Sequence, residues 1–241
     1  MQKNLFKRAV GPFVHWFYRH ARALCGTLRD HFCPPEGEYS IMIKHALNFG
    51  LGSQIEGDYL EFGVSKGVTM AAAFRHARKL GLNAIRFYAF DSFEGLPEIS
   101  GQDAEGPCHY HKGQYACGLE QFKKNLTLSG ADLNRLTIVQ GWYSDVLNDK
   151  TKKNLPLKKA AVVWIDCDLY ESTAPALEFI TDYVQTGTIL CFDDFYCFAG
   201  DPDRGESRAL KEWLAKHPRI KAIEYRKYEA AGLSFILNVS R

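Results

Sequence analysis

Two apolar runs in this chain each end in a cluster of acids, and no other feature narrows the possible folds so far. Ala160-Ala161-Val162-Val163-Trp164-Ile165 runs into Asp166-Cys167-Asp168, and Gly187-Thr188-Ile189-Leu190-Cys191-Phe192 runs into Asp193-Asp194. A short apolar, β-branched run bounded by a turn signal reads as a buried strand. Open α/β sheets bind ligands at the carboxyl edge of their strands, so these acids fall where a ligand would sit. Carboxylates gathered there repel one another unless a positive charge lies among them. A hard divalent cation is the economical counter-charge.

The rest of the chain supports such a sheet. Strands are predicted at 58–62, 85–90, 136–140, 160–165 and 188–192, with a final pair near 220–227 and 233–239. Helices are predicted at 38–52, 67–80, 118–128, 172–184 and 204–215. Alternation of this kind implies a mostly parallel sheet with helices on both faces. The last two strands are close enough in sequence to form an antiparallel hairpin. At 241 residues and 46% hydrophobic, the chain can bury the core of one α/β domain with appendages.

The first strand end is a glycine loop, Asp58-Tyr59-Leu60-Glu61-Phe62-Gly63-Val64-Ser65-Lys66-Gly67. It lacks the second glycine, two places after the first, that the dinucleotide fingerprint requires. Glycines there let a ligand approach the backbone, but the tight turn that grips a pyrophosphate is missing. A nucleoside-like ligand without phosphates fits better, and S-adenosylmethionine is one; a purely structural strand–helix turn is the alternative. Phe87-Tyr88-Ala89-Phe90 ends in Asp91, an acid placed to accept two hydrogen bonds from vicinal ribose hydroxyls. After the third strand comes Gly141-Trp142-Tyr143-Ser144-Asp145. Trp142 there either flanks an adenine ring or packs into the core.

Taken together, Glu61–Gly67, Asp91-Ser92-Phe93-Glu94-Gly95-Leu96-Pro97, Ile165-Asp166-Cys167-Asp168-Leu169-Tyr170-Glu171-Ser172-Thr173 and Asp193-Asp194-Phe195 resemble the macrocin-type (TylF-like) O-methyltransferases. The resemblance covers about residues 38–241. It implies a class I, Rossmann-like fold and a divalent-metal-dependent O-methyltransferase that moves a methyl group from S-adenosylmethionine to a sugar hydroxyl. Cofactor contacts are then expected from Glu61, Phe62, Gly63, Val64, Gly67, Thr69, Asp91, Ser92, Gly141, Trp142, Ser144 and Asp166. By the same resemblance Asp166, Asp193 and Asp194 hold the metal, Mg²⁺ by preference, and Asp168 is the general base. The chemistry calls for both, because a sugar hydroxyl holds its proton tightly and needs a Lewis acid and a proton acceptor. Asp168 as a cap on the following helix is the competing reading, although Ser172 and Thr173 are good cap residues themselves. A catechol-type O-methyltransferase acting on an aromatic or other small-molecule diol is the alternative activity. A nicotinamide-dependent oxidoreductase conflicts with the missing fingerprint.

Three segments lie outside that core argument. Residues 1–37 form a basic, aromatic-rich, amphipathic segment, with a helix expected from Pro12. It suits docking on an anionic membrane through residues 1–33, or packing on the domain or across a homodimer. A membrane-docked binding protein without turnover is the corresponding non-enzymatic reading. Residues 98–118 form a long polar loop, read as a lid over the pocket or as surface. His109, Tyr110, His111 and Tyr115 are its candidate substrate contacts. Asp201-Pro202-Asp203-Arg204-Gly205-Glu206 reads as loop and helix start with its charges solvated. The net charge of +2 gives no reason to expect a nucleic-acid partner. The 7 cysteines lack paired metal-ligand spacing and read as buried thiols, with zinc at Cys108, His109, His111 and Cys117 the lesser alternative. No apolar stretch is long enough to span a bilayer, so the expected location is the cytoplasm, with membrane association through the N-terminal segment.

Overall fold

The computed structural model describes residues 37–104 and 110–240. The N-terminal helix expectation, with its membrane and homodimer readings, lies outside the described residues, as do Cys108 and His109. No helix among the described residues is long and apolar enough to cross a membrane.

Seven strands form one sheet: β1 (Asp58–Phe62), β2 (Phe87–Asp91), β3 (Leu136–Gln140), β4 (Ala160–Ile165), β5 (Ile189–Phe192), β6 (Ile220–Tyr228) and β7 (Gly232–Val239). Their order is β3-β2-β1-β4-β5-β7-β6. β1 through β5 are parallel, while β7 pairs antiparallel with both β5 and β6. The expected parallel sheet and C-terminal hairpin are both present. Each predicted strand is found within two residues of its expected bounds.

The helices are α1 (Glu38–Gly52), α2 (Val68–Lys79), α3 (Leu119–Leu128), the short α4 (Tyr143–Val146) and α5 (Asp149–Asn154), α6 (Tyr170–Ile180) and α7 (Gly205–Lys216). Side chains alternate across a strand, so the central strands feed two apolar layers. Tyr59, Phe87, Ala89, Val162, Trp164 and Cys191 face one layer, with Met42, Ile43 and Ala46 of α1 and Met70, Ala73 and Phe74 of α2. Leu60, Phe62, Phe90, Val163, Ile165 and Phe192 face the other, with Leu177 and Phe179 of α6 and Leu210 and Trp213 of α7. Covering on both faces explains why β4 reads as an unbroken apolar run. Cys167 and Cys191 are buried free thiols, as expected.

The strand order reverses at β1, where β2 lies on one side and β4 on the other. Ladder hydrogen bonds continue one residue past each strand end. Gly141 N–H donates to Asp91 O (2.9 Å), Gly63 N–H to Phe90 O (2.9 Å), Asp166 N–H to Phe62 O (2.8 Å) and Asp193 N–H to Ile165 O (3.0 Å). These four residues therefore stand in a row along the carboxyl edge, across the switch point where ligands bind in open α/β sheets.

Candidate functional site

A cavity of about 770 Å³ opens over this row, a size typical of small-molecule sites. On one flank it is lined by Gly63, Ser65, Asp91, Ser92, Gly141, Trp142 and Ser144, and on the other by Asp166, Asp168, Asp193 and Asp194. Tyr39 of α1 and residues of the 98–118 loop close it.

The glycine flank is built from backbone. Gly63 has φ +82°, and a Cβ there would lie 1.8 Å from Asp166 O, so only glycine lets β1 and β4 part at this point. Asp91 organises the loop. Its Oδ2 accepts Val64 N–H (2.7 Å) and Ser65 N–H (3.1 Å), and its Oδ1 accepts Phe93 N–H (2.6 Å). A carboxylate offers about four lone-pair sites, so the expected pair of bonds from vicinal hydroxyls narrows to about one. Ser92 is tied into its own turn, accepting Glu94 N–H and donating to Gly95 O. Trp142 is half-buried and lines the pocket without joining either apolar layer. That placement favours a ring-flanking role over core packing.

Several expected cofactor contacts stand behind the pocket wall. Phe62 is fully buried and stacks on Phe90, with ring centroids 4.4 Å apart. Gly67 opens α2 with φ +81°, where a Cβ would meet the Phe122 ring at 2.9 Å. Val64 contributes its amide to Asp91, and its side chain is core. Glu61 is fully buried and accepts from the Tyr59 hydroxyl (2.7 Å) and the Thr69 hydroxyl (2.6 Å). Glu61 and Thr69 thus join the end of β1 to the start of α2. Burial pushes the Glu61 carboxyl up to about 7, against the two hydroxyl donors.

The acidic flank is the opposite case. One oxygen each from Asp166, Asp168 and Asp194 lies within 4.8 Å of the others. Burial raises Asp166 well above the ordinary carboxylate range, followed by the charges of Asp193, Asp194 and Asp168. Asp193 is pushed up to about 8, first by burial, then by Asp194 and Asp168. Its Oδ1 is buried without a hydrogen-bond partner among the described residues. Asp168 is also raised by burial and by Asp194, opposed by a hydrogen bond from Tyr110. Asp168 holds a left-handed backbone, φ +61°, a strained state for a non-glycine residue of the kind that clusters at working sites. Ser65 (φ +39°) and Tyr115 (φ +64°), which also line the cavity, share that feature.

The donor set fits a hard cation. It is all oxygen, it is crowded, and two oxygens bound to one ion stand at most ~4.2 Å apart for Mg²⁺ and ~4.8 Å for a larger cation such as Ca²⁺. The set brought closest is Asp166, Asp168 and Asp194, with Asp193 beside it. His111 and Cys117 are not part of it, and Cys117 is buried.

One expectation is corrected here. Glu206 was placed on a solvated face, yet it is fully buried. Its Oε2 accepts Asp194 N–H at 2.9 Å, and its Oε1 has no partner among the described residues. The fold draws it inward to satisfy the turn that follows β5, while Asp201 and Asp203 remain exposed. Cys197 also turns to the site, its thiol donating to Asp194 Oδ1 (2.8 Å). The sequence reading also missed Tyr39, a residue that registers in the pattern only as an apolar position of α1.

The comparisons follow the same lines. The macrocin O-methyltransferase (TylF) family model matches residues 42–211. A Streptomyces olivaceus 8-demethyl-8-(2,3-dimethoxy-α-L-rhamnosyl)-tetracenomycin-C 4′-O-methyltransferase is 31% identical over 157 residues, which is 64% of this chain and 58% of that protein. A Micromonospora griseorubida mycinamicin III 3″-O-methyltransferase is 24% identical over 217 residues, covering 80% of this chain and 82% of that protein. The matching region spans 58% of the length of the Streptomyces olivaceus enzyme and of a Streptomyces niveus demethyldecarbamoylnovobiocin O-methyltransferase alike. Among solved structures, the O-methyltransferase NovP aligns with TM-score 0.67 at 20% identity, over 84% of this chain and 80% of that one. The calicheamicin methyltransferase CalS11 aligns with TM-score 0.64 at 23% identity, over 82% and 77%. The fold is therefore that of the class I O-methyltransferases, and the chain belongs to the macrocin O-methyltransferase family.

Proposed function

We propose that this protein is an S-adenosylmethionine-dependent O-methyltransferase whose acceptor is a hydroxyl of a sugar carried on a glycoside. The observation that carries the reading is the pairing, in one cavity, of a backbone-built glycine flank with a carboxylate-rich flank. The relative named for 4′-O-methylation of a rhamnosyl-tetracenomycin supports a glycoside over the catechol-type alternative. When bound, S-adenosylmethionine would supply the methyl group, and a divalent cation, Mg²⁺ by its fit to oxygen donors, would supply positive charge beside the acceptor oxygen.

The chain's own residues take the remaining roles. Asp91 receives the ribose end with its remaining lone pair, Gly63 and Gly141 leave the backbone open to the ligand, and Trp142 flanks the adenine. Asp166, Asp193 and Asp194 would hold the cation, Asp166 nearest the cofactor flank through its ladder bond to β1, with Asp168, an oxygen of which lies within 4.8 Å of oxygens of Asp166 and Asp194, at its edge. Asp168 would take the proton from the acceptor hydroxyl as its oxygen bonds the methyl carbon in line and the methyl–sulfur bond breaks, leaving S-adenosylhomocysteine. Tyr110 orients Asp168 by hydrogen bonding to it. Tyr115, Glu98 and Ser100 of the 98–118 loop shape the acceptor side and exclude water.

The test is a methyl-transfer assay over a panel of glycosides and catechols, with and without chelator, using wild type, Asp166→Ala and Asp168→Asn. The reading expects glycoside turnover that is lost with chelator and in both variants, with Asp168→Asn still binding Mn²⁺. Undiminished turnover in chelator removes the metal from the account, and preference for catechols replaces the acceptor.

A further inference from the structure

The strongest unexplained feature outside the acids themselves is how the helix behind them is capped. α6 begins at Tyr170, two residues after Asp168, and its N-cap residue Leu169 offers no side-chain cap. The first N–H groups of a helix need acceptors, and a carboxylate near such a start is the usual local source. Asp168 is the nearest carboxylate preceding that start, yet it lines the cavity and meets Tyr110. The cap comes instead from a residue 67 and 68 positions away. Asp103 Oδ1 accepts Tyr170 N–H, and Oδ2 accepts Glu171 N–H, both at 3.1 Å.

Asp103 sits in a single 3₁₀ turn, Gly101–Ala104, and is only 2% exposed. That turn belongs to the 98–118 loop. It is also fastened to α7, where Arg204 donates to the Gln102 carbonyl and Arg208 to the Gln102 side-chain oxygen. α7 in turn carries Glu206, which accepts Asp194 N–H. One short turn thus grips the two helices that follow the two acidic strand ends.

We propose that Asp103 is a positioning residue: by capping α6 from the covering loop, it frees Asp168 from capping its own helix and holds that carboxylate in the cavity. The loop over the pocket and the orientation of Asp168 are then one device. Seating the loop supplies the cap, and the cap fixes the left-handed turn at Asp168. Without it, the bare amides of Tyr170 and Glu171 draw Asp168 back, and its backbone relaxes from φ +61°. The functional weight of this device rests on Asp168 being the base, but the structural claim does not.

Crystal structures of the full chain as Asp103→Ala and Asp103→Asn test it, with S-adenosylhomocysteine present. In the alanine variant the Asp168 carboxylate should move to about 3 Å from the Tyr170 or Glu171 amide and lose Tyr110. In the asparagine variant, which keeps a capping oxygen, Asp168 should stay in the cavity. Amide hydrogen exchange at Tyr170 and Glu171 supplies a second measurement: protection should fall in the alanine variant and return in the asparagine variant. An Asp168 that stays in place in the alanine variant overturns the proposal, as does equal displacement in both variants. The Asp168→Asn assay above addresses the role of the base separately, so the two failures are distinguishable.

Discussion

The two flanks of the cavity hold carboxylates in opposite conditions. Asp91, on the glycine flank, accepts three backbone N–H groups and stands beside no other acid of the row. Asp166, Asp168, Asp193 and Asp194, on the other flank, face one another; burial raises all four, and the charges of neighbouring acids raise Asp166, Asp168 and Asp193 further. A carboxylate satisfied by the chain is part of the scaffold. A group of carboxylates that the chain leaves crowded keeps charge that the scaffold does not satisfy, as the proposed cation site requires. The same residue type therefore serves assembly on one side and binding on the other, and local donor supply separates the two.

The largest effects should come from breaking that contrast. Asp166→Ala should cut turnover by more than about a hundredfold, since even outer partners of a metal cost 10–100-fold. The same change should raise the melting temperature of the metal-free protein by about 2–4 °C, because it removes a repelled charge. Asp91→Ala should do the reverse to stability. It strands three N–H groups, and the expected loss is on the order of 4 kcal/mol by denaturant unfolding, with S-adenosylhomocysteine binding weakened alongside. If both variants shift stability in the same direction, the contrast between the flanks fails.

Glu61 sharpens the comparison, being buried like the acidic flank yet hydrogen-bonded like Asp91. Its carboxyl stands at about 7 in the folded chain against an ordinary 4.5. A raised folded value means stability is greatest below about pH 4.5 and is lost as pH rises through about 7. The change should amount to about 3 kcal/mol. Unfolding curves from pH 5 to 8 should therefore be flatter for Glu61→Gln than for wild type, and equal slopes would exclude this origin. The smallest effect belongs to Thr69→Val. It removes one donor to Glu61 and should cost about 1 kcal/mol, read from the same unfolding curves.

Much of this was legible in the sequence, for a physical reason. A strand buried on both faces has to be apolar throughout, so the acids that end β4 and β5 stand out against it. The glycine at position 63 was legible because the backbone there tolerates no side chain. The short helices α4 and α5 were not legible, since four and six residues give no period to read. α6 was predicted at 172–184 but runs from Tyr170 to Ile180, and its start is set by Asp103, far away in the chain. Glu206 was misjudged because a charged residue two places from an exposed loop looks solvated until its long-range partner, the Asp194 amide, is known. Phe62 and Thr69 sit in the motif but face away from the cavity, because side chains alternate along β1 and α2 turns Thr69 toward Glu61. Local pattern locates the sheet edge, whereas which side chains reach it depends on partners distant in sequence.

The acidic strand ends are proposed to bind a divalent cation beside the cofactor. The direct measurement is calorimetric titration of Mn²⁺ into the S-adenosylhomocysteine-loaded protein at pH 8, level with the value of about 8 for Asp193 and above the value of about 7 for Glu61. One Mn²⁺ per chain should bind to wild type, and Asp166→Ala should bind it at least about a hundredfold more weakly. Equal binding by the two proteins, or none by wild type, would contradict the account.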